Sequence, residues 1–219
     1  MKRVLPQPLE PDELRSILAC TNPKVPTGLR NRTLLLMMAT IGLRVGEIVA
    51  LKMASLSRSH DRLRIIDGKG GDRYIPVPDA LRLQLEAWLA IRATIAPTSP
   101  WVFPQVRTTV WRDSATSTGA KLAGSQLSTA YLRELCARLG REAGVERATN
   151  PHVFRHTAAT GLLDAGYTLA EVQTILGHAN IATTSIYLHV AQGRLAERMR
   201  SYDAMAERQM GVNAGPPQI

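Results

Sequence analysis

Between Asn150 and Gly177 the sequence punctuates helices more sharply than anywhere else along its 219 residues. Asn150-Pro151 is a start signal. Asparagine accepts hydrogen bonds from the first free N–H groups of a helix, and proline at the first helical position lacks an N–H that would have had no partner there. Gly166 ends that helix. Thr168 and Glu171 form the box that opens the next one, and Gly177 stops it. A chain marked in this way folds as consecutive short helices joined at tight corners. Similar marks recur upstream. Pro11 in the first turn predicts a helix along DELRSILAC, and TNPKVPTG reads as the loop after it. The apolar stretch of LRNRTLLLMMATIG predicts a buried helix capped at Gly42, and LRVGEIVALKM resumes helically with Arg44 at or near its start. Asp79 caps an amphipathic helix carrying Leu81, Leu85, Trp88 and Leu89. Ser128 opens another, whose buried stripe is Leu132, Leu135, Cys136 and Leu139, with Arg133 and Arg141 away from it.

One segment breaks the helical period. In RLRIIDGKGGDRYIPVP, two runs rich in Ile, Val and Tyr flank Gly68-Lys69-Gly70-Gly71, which predicts a β-hairpin with Lys69 at its tip. WVFPQ reads as a short strand. From Pro104 to Ser125 the chain is polar, rich in Thr, Ser and Gly, and without period, so it reads as a long loop. A short helix or turn carries Tyr187, and an amphipathic last helix runs from Arg194 to Met210 before a Gly/Pro tail. The expected architecture is mainly α with a small antiparallel β-sheet: one domain over residues 1–210 and a flexible tail over 211–219.

Charge narrows the partner. Lys plus Arg number 27 against 18 Asp plus Glu, a net +9, which points toward a polyanion. Arginine dominates the basic set, and its planar fork matches two phosphate oxygens at once. No apolar run approaches the ~18 residues of a membrane span. The opening residues lack the apolar core of a signal peptide. Two cysteines, Cys20 and Cys136, imply no disulfide framework and fit a reducing, cytoplasmic compartment.

Six residues together form a kit for phosphodiester chemistry. His152 and Arg155 lie three apart in the first turns of one helix, where free N–H groups and the helix dipole favour an anion. Arg44 near a helix start runs against the dipole preference, which suggests an anionic ligand between them. His178 follows a helix end, Lys69 sits on a hairpin tip, and Tyr187 supplies a hydroxyl nucleophile. Each residue alone has a plainer reading as a cap, a solvated charge or a core side chain. No acidic cluster suggests a two-metal site, and GKGGD lacks the spacing of a nucleotide-binding loop. No metal or other cofactor is expected.

These residues resemble, in order, the motifs of the tyrosine recombinases, the phage integrase family. TIGLRVGEI resembles the first arginine motif, with Arg44 and its acidic companion Glu47; GKGGDRYIPVP resembles the hairpin of the catalytic lysine, Lys69. HVFRHTAAT is similar to the His-x-x-Arg box, His152 and Arg155, and LGHANIATTSIYLHV to the segment joining His178 to Tyr187. The resemblance spans about Leu9 to Met199. It implies the integrase catalytic-domain fold and site-specific DNA recombination or integration, as in mobile genetic elements, by a short form without the N-terminal core-binding domain of longer members. It further implies that Tyr187 attacks the scissile phosphate to leave a 3′-phosphotyrosyl link and a 5′-hydroxyl, without ATP or metal. Arg44 and Arg155 would clamp the non-bridging oxygens and Lys69 would protonate the leaving oxygen. His152 would act as acid or base, and His178 would donate to the phosphate. The helix from Ser128 would meet the major groove through Arg133 and Arg141. Self-association into a synapse, an accessory DNA-bending protein and a place at the bacterial nucleoid belong to the same expectation. Two rival readings share these residues: a type IB topoisomerase-like nicking-closing enzyme, and a recombinase-derived DNA-binding regulator.

Overall fold

The computed structural model describes residues 7–66, 72–106 and 123–177, with the backbone of 109–112 and 118–121. The tail over 211–219, the last helix expected over Arg194–Met210, and Lys69, His178 and Tyr187 lie outside the described residues.

Helix α1 (Pro11–Ala19) opens on Glu10, whose backbone N–H donates to the Glu13 carboxylate at 2.7 Å. Helix α2 (Pro26–Ile41) begins three residues earlier than the expected apolar stretch, because Pro26 supplies a ready-made first turn. Gly28 therefore lies inside it, and its bare Cα passes so close to the Asn22 carbonyl that a Cβ would lie 1.9 Å from that oxygen. The middle of α2 is apolar all round: Leu34, Leu35, Met37 and Met38 are fully buried. A helix with no polar face belongs at the centre of a domain. Here α2 packs against α4 (Asp79–Ile95) and α6 (Pro151–Asp164). Gly42 ends α2 at φ 64°, the left-handed conformation expected of a glycine stop. Helix α3 (Val45–Val49) follows at once, and Arg44 is the residue that opens it.

Strands β1 (Arg62–Ile65) and β2 (Arg73–Pro76) form the expected antiparallel hairpin, with Leu63 opposite Ile75 and Arg64 opposite Tyr74. Leu63, Ile65 and Ile75 are buried while Arg62, Arg64 and Tyr74 face water, the alternation of a half-buried sheet. The 104–125 segment departs from the expected loop. It contains a second antiparallel hairpin, β3 (Thr109–Arg112) with β4 (Thr118–Lys121). Thr, Val and Trp in TTVWR are strand formers, but the Ser/Thr/Gly composition around them hides the signal. WVFPQ is not a strand: Trp101 and Pro104 make only isolated bridges to Lys52 and Gln126. Its side chains do core work instead. Trp88 of α4 stacks on Phe103 and donates to the Val102 carbonyl at 2.8 Å. Asp79 is the first residue of α4 rather than its cap. Pro78 precedes it, and Asp79 pairs with Arg82 at 2.9 Å.

Helix α5 (Thr129–Glu142) is capped by Ser128, and its Leu132, Leu135, Cys136 and Leu139 are buried as the stripe predicts. Burial pushes the Cys136 thiol up to about 12, which removes it as a nucleophile. A buried polar knot joins α5 to α2. The Arg30 guanidinium donates to the Pro104 carbonyl at 3.0 Å, to Asn31 Oδ1 at 2.9 Å and to the Tyr131 hydroxyl at 2.6 Å. Finally α6 and α7 (Leu169–Leu176) close a small cluster of Ala159, Leu163, Val172 and Leu176. Gly177 stops α7 at φ 68°.

The cap that starts α6 can be tested. Asn150 Oδ1 accepts from the backbone N–H groups of His152 at 2.9 Å and Val153 at 3.3 Å. Asn150→Ala is expected to cost about 1 kcal/mol and to lower the melting temperature by roughly 2–4 °C. Calorimetry showing no change would mean that those two N–H groups find other acceptors.

Candidate active site

A helix leaves its last carbonyls without partners inside the helix. At the end of α7 the Gly177 N–H turns back to the Gln173 and Thr174 carbonyls. The next three carbonyls are each taken by an arginine from a different part of the chain. Arg73 Nε of β2 donates to the Ile175 carbonyl at 3.1 Å. Arg155 Nη2 of α6 donates to the Leu176 carbonyl at 2.7 Å. Arg44 Nη2, at the head of α3, donates to the Gly177 carbonyl. The negative end of the α7 dipole thus collects three guanidiniums.

Each arginine is fixed from a second side. Arg155 Nη1 donates to the Gly42 carbonyl at 2.5 Å, tying α6 to the α2–α3 corner. That corner needs glycine twice over, for its left-handed φ of 64° and because a Cβ there would lie 2.3 Å from Leu176 Cδ2. Glu47 holds the other two arginines. Its Oε1 accepts from Arg44 Nη1 at 2.7 Å, and its Oε2 accepts both from the Arg44 backbone N–H at 2.8 Å and from Arg73 Nη2 at 2.9 Å. Glu47 and Arg73 side chains are 11% and 10% exposed, against 38% for Arg44. Arg44 is therefore the cation the cluster turns toward solvent. Among the described residues, three guanidiniums and one carboxylate, Glu47, meet at this helix end, and guanidiniums are the side chains suited to an anion.

Burial pushes the Glu47 carboxyl up. The hydrogen bond from Arg73, that from the Arg44 backbone N–H and the Arg73 charge outweigh burial, so the group ends below the usual carboxylate range.

Of the expected site residues, the structure brings Arg44 and Arg155 together at the end of α7, with Glu47 on Arg44. His152 lies on the first turn of α6, exposed, three residues before the buried Arg155. Arg133 and Arg141 lie exposed on α5; Arg133 Nη1 donates to Thr129 Oγ1 at 3.3 Å. Arg73 was missed. Its signal was the inward register of DRYIP, four residues beyond Lys69, which mattered only once α7 was known to pass beneath the hairpin.

This mostly helical domain with a small β-hairpin has the catalytic-domain fold of tyrosine recombinases and integrases. The chain belongs to the phage integrase family, which residues 7–194 match. It is 37% identical over 201 residues to tyrosine recombinase XerD of Caulobacter vibrioides, covering 89% of this chain and 61% of that protein. It is 32% identical over 203 residues to XerD of Listeria innocua, covering 92% and 64%. The chain thus spans less than two thirds of the length of these relatives. Among solved structures, it is similar to XerA recombinase, with TM-score 0.69, 25% identity, and coverage of 92% of this chain and 65% of that one. XerH recombinase in a post-cleavage complex with its difH substrate is similar at TM-score 0.66 and 25% identity, over 91% of this chain and 54% of that one. A lambda integrase tetramer on a Holliday junction shares the fold at TM-score 0.61 and 18% identity, over 85% and 49%.

The charge balance gives a signed prediction. A carboxyl depressed in the folded state stabilises the fold above its unfolded value, ~4.3, and that contribution is lost as pH falls through the folded value. Glu47→Gln leaves Arg73 without its counter-charge and is expected to cost about 3 kcal/mol near neutrality. The gap to the parent should narrow on acidification below about pH 4, read as urea midpoints across the pH series. A gap that stays constant into acid would remove the ion pair as its source.

Proposed function

We propose that this protein is a site-specific DNA recombinase that cuts and rejoins duplex DNA through a 3′-phosphotyrosyl intermediate. The observation that carries the reading is the cluster at the end of α7, where Arg44 and Arg155 converge on neighbouring carbonyls one residue before His178 in sequence. A scissile phosphate offers the paired oxygens that such guanidinium forks match. In the transition state, charge grows on the non-bridging oxygens, and guanidiniums already held in place stabilise it without reorganising. Tyr187 is the nucleophile. Its phenol ordinarily titrates near ~10, and surrounding cations favour the phenolate. The phosphodiester energy is retained in the P–O bond to Tyr187, so the incoming 5′-hydroxyl reverses the step without a nucleotide. Lys69 protonates the departing 5′-oxygen, His152 serves as acid or base, and His178 donates to the phosphate. Arg133 and Arg141 contact DNA from the exposed side of α5. The similarity to lambda integrase, solved as a tetramer bound to a Holliday junction, supports assembly of several protomers on DNA. A DNA-bending accessory protein, a nucleoid location and the division into a catalytic domain over 1–210 with a tail over 211–219 complete the proposal. Among the described residues no helix is long and apolar enough to cross a membrane.

The test is a pool of nicked suicide duplexes randomised across the core, with covalent protein–DNA adducts recovered on denaturing gels. Parent protein forms an adduct from a subset of the pool, and Tyr187→Phe forms none while still retaining duplex in a native gel. An adduct from Tyr187→Phe would move the nucleophile elsewhere. A supercoiled-plasmid assay on the recovered sequence separates joined recombinants from the relaxed circles of a nicking-closing enzyme, and a DNA-binding regulator yields neither.

Arg155→Lys keeps the charge and loses the fork. Single-turnover cleavage of a recovered duplex is expected to fall by roughly 10²-fold or more. An unchanged rate would reduce Arg155 to a structural tie between Gly42 and Leu176.

A further inference from the structure

Arg73 is the arginine of the cluster that no recognised motif position accounts for. It stands on β2, four residues beyond Lys69 in sequence. Its side chain is nine-tenths buried and reaches away from its own sheet. It grips two other elements at once: Nη2 donates to Glu47 Oε2 of α3 at 2.9 Å, and Nε donates to the Ile175 carbonyl of α7 at 3.1 Å. Its third nitrogen, Nη1, is buried without a hydrogen-bond partner. That is an expensive arrangement for an arginine whose only role is packing, since a buried donor left unpaired carries its full desolvation cost. The guanidinium is also seated closely. A Cβ on Gly177 would come within 2.6 Å of Nη1 and 2.7 Å of Cζ, so only glycine leaves room for it.

We propose that Arg73 is a positioning residue that registers the lysine-bearing hairpin against the arginine cluster, acting on Arg44 through Glu47. The inference rests on the recombinase reading for its catalytic consequence, but not for its structural one. Glu47 Oε2 is shared between Arg73 and the Arg44 backbone N–H, while Oε1 holds the Arg44 guanidinium. With Arg73 in place the carboxylate has one orientation, and Arg44 is held by main chain and side chain together. Without it Glu47 Oε2 loses one of its two donors, Arg44 is held by a less fixed carboxylate, and the foot of β2 is no longer tied to Ile175, three residues before His178 in sequence. The hairpin and the phosphate clamp then lose their common reference. A misplacement of about 1 Å near reacting groups is worth up to ~10²-fold in rate.

The test compares full-length Arg73→Lys and Arg73→Gln with the parent by two independent readouts. The first needs no activity: amide hydrogen exchange at Arg44, whose N–H bonds to Glu47, with the α4 core amides as control. Both variants are expected to speed Arg44 exchange by about 10-fold or more while α4 exchange stays at the parent rate, and lysine is expected to speed it less than glutamine. The second is adduct formation on a duplex recovered from the randomised pool. The single-turnover rate is expected to fall by ~10–100-fold with duplex affinity unchanged, and Arg73→Gln combined with Glu47→Gln should be no slower than the slower single variant. Unchanged Arg44 exchange overturns the proposal, as do rate losses that add in the double variant or a loss confined to affinity. If Arg73→Gln fails to fold, the Arg73→Lys comparison decides on the same criteria. Should the parent form no adduct at all, the recombinase reading fails while the exchange result still decides the role of Arg73.

Discussion

Everything that positions this site hangs on three carbonyl oxygens. The last turn of α7 exposes them because a helix cannot satisfy its own C-terminal carbonyls, and three arginines from β2, α6 and the head of α3 take one each. The arrangement solves two problems together. Clustered guanidiniums repel one another, and a helix C-terminus supplies part of the negative potential that lets them approach. A helix end inside a domain needs donors, and arginine forks bring several on rigid planes. The helix end and the arginines are thus each the condition of the other's placement.

Glu47 completes the balance without cancelling it. A carboxylate for every arginine would give a neutral and inert knot. Among the described residues one carboxylate serves three arginines: it holds Arg44 and Arg73 in fixed directions, and Arg44 is the more exposed of the two. Such preorganisation is what electrostatic catalysis at a phosphate requires, because dipoles and charges that need not move at the transition state lose nothing in reorientation. Two of the left-handed glycines, Gly42 and Gly177, belong to the same design. Gly42 lets α2, α6 and α7 meet where Arg155 crosses, and Gly177 leaves space for the Arg73 guanidinium.

Much of this was readable along the chain, for local reasons. Helix starts at Asn150-Pro151 and Thr168, and stops at Gly42 and Gly177, depend on hydrogen bonds and φ angles within a few residues, so local sequence reports them. The β1–β2 hairpin was equally legible from two β-rich runs around a glycine turn. The β3–β4 hairpin was not, because serine, threonine and glycine suit a loop as well as a short polar strand. Asp79 read as a cap, yet the chain enters α4 one residue earlier through Pro78.

Sequence by itself determined the helical class, the first hairpin and the basic character, and it put Arg44, Glu47, His152 and Arg155 forward as candidates. These follow from residue type, local spacing and motif order, none of which needs three-dimensional context. Only the tertiary structure decided that Arg73 belongs with them and that Arg155 is a buried crosslink as well as a cation. Arg73 and Ile175 are joined by a hydrogen bond that spans 102 positions of sequence. No local pattern encodes such a pairing; it exists because α7 packs its C-terminal carbonyls against the foot of a hairpin that the buried faces of β1 and β2 hold in place.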